Sequence, residues 1–174
     1  MKNIVRSSKF FAALLLGASA MLQAANTVGL KIDGTWLITV NVNPPAPGVP
    51  AFSFTGLNTF LSNGSLISTQ ASNPTPQVPP GPQPVLIHLG SGHGEWILVG
   101  DHLFVATVYL FRFDQNNQFV GVMRIRQTIT LAPALDQYTA TFSGDVFDAN
   151  GNLTATVTGT GKATRVDVLY PDAH

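Results

Sequence analysis

From residue 153 to residue 164 the chain alternates without a break. Leu153, Ala155, Val157, Gly159, Gly161 and Ala163 occupy one side, and Thr154, Thr156, Thr158, Thr160, Lys162 and Thr164 the other. A period of two is the mark of a strand with one face in a core and the other in water. The same period sets Tyr138, Ala140, Phe142, Gly144 and Val146 against Thr139, Thr141, Ser143 and Asp145. It also sets Met123, Ile125, Gln127, Ile129 and Leu131 against Arg124, Arg126, Thr128 and Thr130. Turn residues separate the apolar runs: Asn63-Gly64, the stretch 114–118 with Asn116-Asn117, and Asp148-Ala149-Asn150-Gly151. Such residues tolerate the left-handed conformation that tight hairpins need. Together these signals predict strands at 36–42, 52–61, 65–71, 95–99, 103–113, 119–131, 138–147 and 153–166, with 85–89 long enough for a short further strand. Four prolines in 43–50 and six in 73–84 exclude continuous pairing there. Successive hairpins favour an up-and-down meander. The expected fold is all-β, an eight-stranded antiparallel barrel, whose closure removes exposed edges.

One strand breaks the pattern. In 103–113, Phe104, Ala106, Val108 and Leu110 oppose Val105, Thr107, Tyr109 and Phe111, so both faces are apolar. Something must cover the outer one. A homo-oligomer through strand 103–113 is the favoured expectation, and an outer-membrane barrel the lesser one. A lipid-facing barrel would have to turn its threonine faces and the Arg124/Arg126 pair into the lumen.

Composition narrows the class. Only 10% of the residues are charged and none is cysteine, against about 25% charged in an ordinary soluble domain. Disulfide frameworks and thiolate zinc sites are excluded. Lys2, Arg6 and Lys9 precede an apolar run over 10–22, followed by Gln23-Ala24-Ala25. A basic start, a short apolar stretch and small residues for cleavage predict a secretory signal peptide over 1–25, leaving 26–174 as a single barrel domain. The expected location is therefore secreted or periplasmic. Without that segment six bases face nine acids, a net charge of −3. No basic cluster remains, and a nucleic-acid partner is not expected.

Gly34-Thr35-Trp36 opens the first predicted strand, and Arg165 ends the last. A Gly-x-Trp on strand one with a late arginine resembles the lipocalin and calycin barrels. The resemblance implies that Trp36 plugs one end and that Arg165 stacks across it. The Thr-Asp-Tyr loop motif of true lipocalins is missing, so the likeness is to the wider calycin group. Allene oxide cyclase-like barrels are similar too, so the resemblance leaves binding and catalysis open.

Two places could carry chemistry. The more apolar strand faces, taken as inward, supply Phe52, Phe54, Phe60, Tyr109, Met123, Ile125, Tyr138 and Phe142, with Asn58 and Gln127 interrupting them. The last strand offers small residues opposite these aromatics. An eight-stranded barrel either fills itself or holds one small ligand. A cavity lined by Phe54, Asn58, Phe60, Tyr109, Gln127, Tyr138 and Phe142 would bind a small apolar molecule. The second place is His88-Leu89-Gly90-Ser91-Gly92-His93-Gly94-Glu95-Trp96. His93 and Glu95 share a strand face and are the acid–base candidates for a cofactor-free cyclase or isomerase. Asn58, Gln127 or Tyr109 would then orient the substrate. Two histidines and a carboxylate could also hold a metal, but a glycine-rich strand start with solvated histidines is the plainer reading. No metal or cofactor is expected. The leading expectation is binding without covalent chemistry; a structural envelope protein with a filled core is a further alternative.

Overall fold

The computed structural model describes residues 32–44, 47–71, 75–77 and 85–167. The signal-peptide reading lies outside them. The described residues form nine strands: β1 (Gly34–Val42), β2 (Phe52–Phe60), β3 (Ser65–Gln70), β4 (Thr75–Gln77), β5 (Val85–Gly100), β6 (Leu103–Phe113), β7 (Phe119–Leu131), β8 (Gln137–Asp148) and β9 (Leu153–Arg165). No helix among them is long and apolar enough to cross a membrane. Every pairing is antiparallel. Sequence-adjacent strands pair except β3 and β4, β9 returns to β1, and β3 pairs instead with β5. These contacts close an eight-stranded up-and-down barrel, with β4 a short outlier paired to the start of β5.

Closure depends on β5, where the sequence reading needs correction. Instead of separate segments at 85–89 and 95–99, one strand runs through the glycines, with a register shift between Leu89 and Gly92. Its first residues pair with β4, and 92–95 pair with 65–68 of β3. Gly94 makes the close approach of β5 to β6 feasible. A Cβ there would sit 1.9 Å from the Thr107 carbonyl oxygen, so only hydrogen fits where β5 crowds β6. Three residues of the proline-rich segment, 75–77, also pair, as a short edge.

The hairpins at one end are built alike. Asp114 Oδ1 accepts hydrogen bonds from the backbone amides of Asn116 and Gln118, both at 2.8 Å. Asp148 Oδ1 accepts from Asn150 (2.9 Å) and Asn152 (2.8 Å). Each carboxylate thereby organises its own turn. The connections after β1, β3, β6 and β8 share this end; those after β2, β5 and β7 share the other.

The two ends differ in content. Trp36, Phe60, Leu66, Trp96, Phe104, Ile129, Leu131 and Tyr138 are buried at the end where β1 begins. Their rings interlock: Trp36 lies 5.0 Å from Tyr138, Phe60 6.1 Å from Trp96, and Trp96 5.7 Å from Phe104. These separations and the tilted or edge-on orientations are favourable for aromatic quadrupoles. The indoles are also satisfied. Trp36 Nε1 donates to the Ile32 carbonyl at 2.9 Å, and Trp96 Nε1 to those of Leu61 and Ser65, each at 3.1 Å. Arg165 closes this end, its guanidinium carbon 4.2 Å from the centre of the Trp36 ring. It also donates to the Leu135 carbonyl at 2.9 Å and to that of Asp33. Burial pushes the Asp33 carboxyl above its ordinary pKa, and Arg165 pulls it partly back.

Candidate functional site

The plug stops about halfway along the strands. Beyond it lies a cavity of about 520 Å³, within the usual range for small-molecule sites. Ile38, Val40 and Val42 of β1, Phe52 and Phe54 of β2, Met123 and Ile125 of β7 and Phe142 of β8 supply its apolar wall. Pro47 and Val49, from the loop after β1, also contribute to the lining.

Small residues on β9 shape the opposite wall. At Gly159 a Cβ would come within 2.6 Å of the Phe142 ring, and at Gly161 within 2.9 Å of Ile38 Cδ1. Part of the space that small residues release is therefore taken by Phe142 and Ile38. Ala155, Val157 and Gly161 still line the cavity.

Among the described lining residues the polar groups are few and uncharged: Asn58, Gln127, Ser68, Thr69, Gln70, Thr154 and Thr156. Asn58, only 4% exposed, sits between cavity and plug. Its Nδ2 donates to the Tyr138 hydroxyl at 2.9 Å. That leaves the Asn58 Oδ1 acceptor without a partner among the described residues. Burial drives the Tyr138 phenol well above its ordinary pKa, a rise only partly offset by the Asn58 hydrogen bond. Tyr138 therefore stays neutral in any ordinary buffer. Gln127 lines the cavity and makes no side-chain hydrogen bond among the described residues.

The residues expected to form a site divide three ways. Phe54, Asn58, Gln127 and Phe142 come together on the cavity wall. Phe60 and Tyr138 are buried below it in the aromatic plug, 6.0 Å apart between ring centres. Tyr109 is a correction, because it lies on the outer face, 50% exposed, while Val108 and Leu110 beside it are buried. With both faces of β6 apolar, hydrophobicity cannot choose its phase. Glu95 and His93 are likewise exposed, while Gly92, between β3 and β6, is buried. The acid–base scheme at the cavity fails with them, since neither side chain reaches the lumen. Among the described residues no three histidine, aspartate or glutamate side chains gather closely enough to hold a metal ion.

Sequence reading missed the roles of Ser68, Gln70 and Leu89 in the cavity and of Trp96 and Phe104 in the plug. The alternation Leu66, Ser68, Gln70 carried the signal for β3, but one apolar residue in three was too faint to set a phase. One buried charge also lies on the inward phase of β6. Arg112 is 8% exposed, and burial lowers its pKa. It donates to the Phe147 carbonyl at 3.5 Å and does not line the cavity.

No protein-family model matches this chain, and neither a curated protein nor a solved structure is similar enough to be matched.

Proposed function

We propose that this chain is an exported, calycin-like barrel that holds a small, uncharged, mainly apolar molecule in its cavity, without covalent chemistry. The observation that carries this reading is the lining: a cavity of about 520 Å³ walled by aliphatic and aromatic side chains, with amides and hydroxyls as the polar groups among its described residues. A charged ligand would lose its hydration there and gain no counter-ion. An apolar one gains by leaving water, at roughly 25 cal/mol per Å² of surface buried. The Asn58 carbonyl oxygen and the Gln127 amide are suited to a single hydroxyl or amide on such a ligand. The calycin assignment is supported by Gly34-Thr35-Trp36 on β1 and by the Arg165 guanidinium over the Trp36 ring. Export is supported by the character of 1–25.

Native mass spectrometry of protein recovered from the periplasm or culture medium tests the reading. The expected result is a non-covalent adduct that is neutral and extractable into organic solvent. Val157→Trp, which fills the cavity, should lose both that adduct and binding of the neutral probe N-phenyl-1-naphthylamine, while keeping the β-sheet circular dichroism. Absence of an adduct together with no saturable probe binding by the unaltered protein would overturn it.

A further inference from the structure

The outer face of β5, β6 and β7 carries an apolar patch that the cavity does not explain. Ile97 is 61% exposed, Phe111 59%, Tyr109 50%, Val99 49% and Phe119 47%. The aromatic edge is ordered, since Phe119 makes edge-on contacts with Phe111 at 6.0 Å and with Phe113 at 6.4 Å. Ile97 and Val99 stand on one side of the Glu95–Thr107–Arg126 row and Tyr109, Phe111 and Phe119 on the other, and exposed apolar groups gathered on one sheet face mark an interaction surface.

The patch has an antisymmetric charge pattern about β6. Thr107, on β6, pairs with Glu95 on the β5 side and with Arg126 on the β7 side. Glu95 is exposed and makes no salt bridge among the described residues. On the other flank Arg124 and Arg126 share one carboxylate, Asp145 Oδ2, at 2.6 Å and 2.9 Å. Two guanidiniums on one carboxylate leave an uncompensated positive charge.

We infer that this face pairs with the same face of a second copy of the chain, about a two-fold axis parallel to β6. That operation lays the β5 flank of one copy over the β7 flank of the other, so Glu95 of each meets Arg126 of its mate. An axis across the strands would instead set Glu95 against Glu95. Tyr109 and Phe111, near the axis, meet their own counterparts, as an isologous interface requires. Sheets stacked with nearly aligned strands are an ordinary packing mode. Lipid fits the face less well. A membrane barrel needs an apolar belt all the way round, whereas Thr128, Thr130, Thr139, Thr141, Thr158, Thr160 and Lys162 are exposed on β7 to β9.

Sedimentation equilibrium of the purified protein tests the pairing. The unaltered chain should show a concentration-dependent monomer–dimer equilibrium, and Phe111→Ser should leave it monomeric across the same range. Glu95→Gln and Arg126→Gln should each weaken the dimer by about three- to ten-fold, the scale of exposed ion pairs counted twice by symmetry. The double variant should be no weaker than either single one, because both remove the same two pairs. A monomer at every concentration would overturn the proposal, as would additive effects of the two charge substitutions. Flotation of the unaltered protein with phosphatidylcholine–phosphatidylglycerol vesicles, abolished by Phe111→Ser, would assign the face to lipid and equally overturn it.

Discussion

Asn58 on β2 donates a hydrogen bond to the hydroxyl of Tyr138 on β8, across the barrel and 80 residues along the chain. This contact divides the filled half of the barrel from the hollow half. Tyr138→Phe removes the acceptor and leaves a buried amide donor unpaired, which should cost about 1–3 kcal/mol. Urea denaturation measures it. The double variant Asn58→Leu/Tyr138→Phe should cost less than the two single changes summed, since no polar atom is then stranded.

The same tyrosine makes a pH prediction. Its folded pKa is raised by burial, so above about pH 10 the unfolded chain loses the phenolic proton and the folded chain keeps it. The unfolded state then binds fewer protons, and stability falls as pH rises. Tyr138→Phe should lose stability less steeply than the unaltered chain between pH 9 and pH 11.5. Equal slopes would show that Tyr138 does not carry the effect.

Asp145 makes the opposite prediction in acid. Its carboxyl is held below the ordinary range chiefly by the hydrogen bond from Arg124, with Arg126 and Thr156 adding to it. A depressed pKa contributes stability above the unfolded value near 3.9 and loses it as pH falls through the folded value. Asp145→Asn should therefore flatten the decline in urea midpoint between about pH 5 and pH 2. Asp145 is only 6% exposed, and salt screens buried pairs much less than exposed ones, so most of the effect should persist in high salt.

Arg165 serves the other end. It covers the Trp36 ring and donates to two carbonyls. Arg165→Ala should cost about 2–4 kcal/mol, combining the ring contact and charged hydrogen bonds. Arg165→Lys should recover only part of that, because an ammonium cannot stack or fork as a guanidinium does. Neither change should alter affinity for a cavity probe, which is the control that separates plug from pocket. Thermal unfolding and probe titration on the same samples check both.

Gln127 and Asn58 look equivalent in the sequence, as inward amides on apolar faces, and the structure separates them. Gln127→Leu should change stability by less than about 0.5 kcal/mol, since no hydrogen bond within the described chain is lost. It should still weaken binding of ligands that bear a hydroxyl or amide.

The strands that sequence reveals best are those with one wet face. β7, β8 and β9 alternate apolar residues with threonine, arginine or aspartate, so a single period fixes both their existence and their phase. β6 exists as clearly, yet its phase is illegible because Tyr109 and Phe111 face outward with as much apolar character as Phe104 and Leu110 face inward. The sequence pattern splits β5 because glycine contributes nothing to hydrophobic periodicity, although its missing side chain is what lets β5 lie against Thr107. Phe54, Asn58, Gln127 and Phe142 were legible as neighbours from strand parity alone. Which of the inward residues would fill the barrel and which would border empty space was not, because that depends on how eight side-chain layers stack.

The aromatic plug and the cavity occupy opposite ends of the same eight strands, and this makes them separately tunable. The loop after β1 borders the cavity through Pro47 and Val49, while the buried rings and Arg165 hold the barrel shut at a distance. Substitutions at Pro47, Val49 or Phe52 can reshape what enters without drawing on the interactions that keep the sheet closed. A barrel arranged this way can change its guest while keeping its fold, which suits it to serve as a scaffold for new ligands.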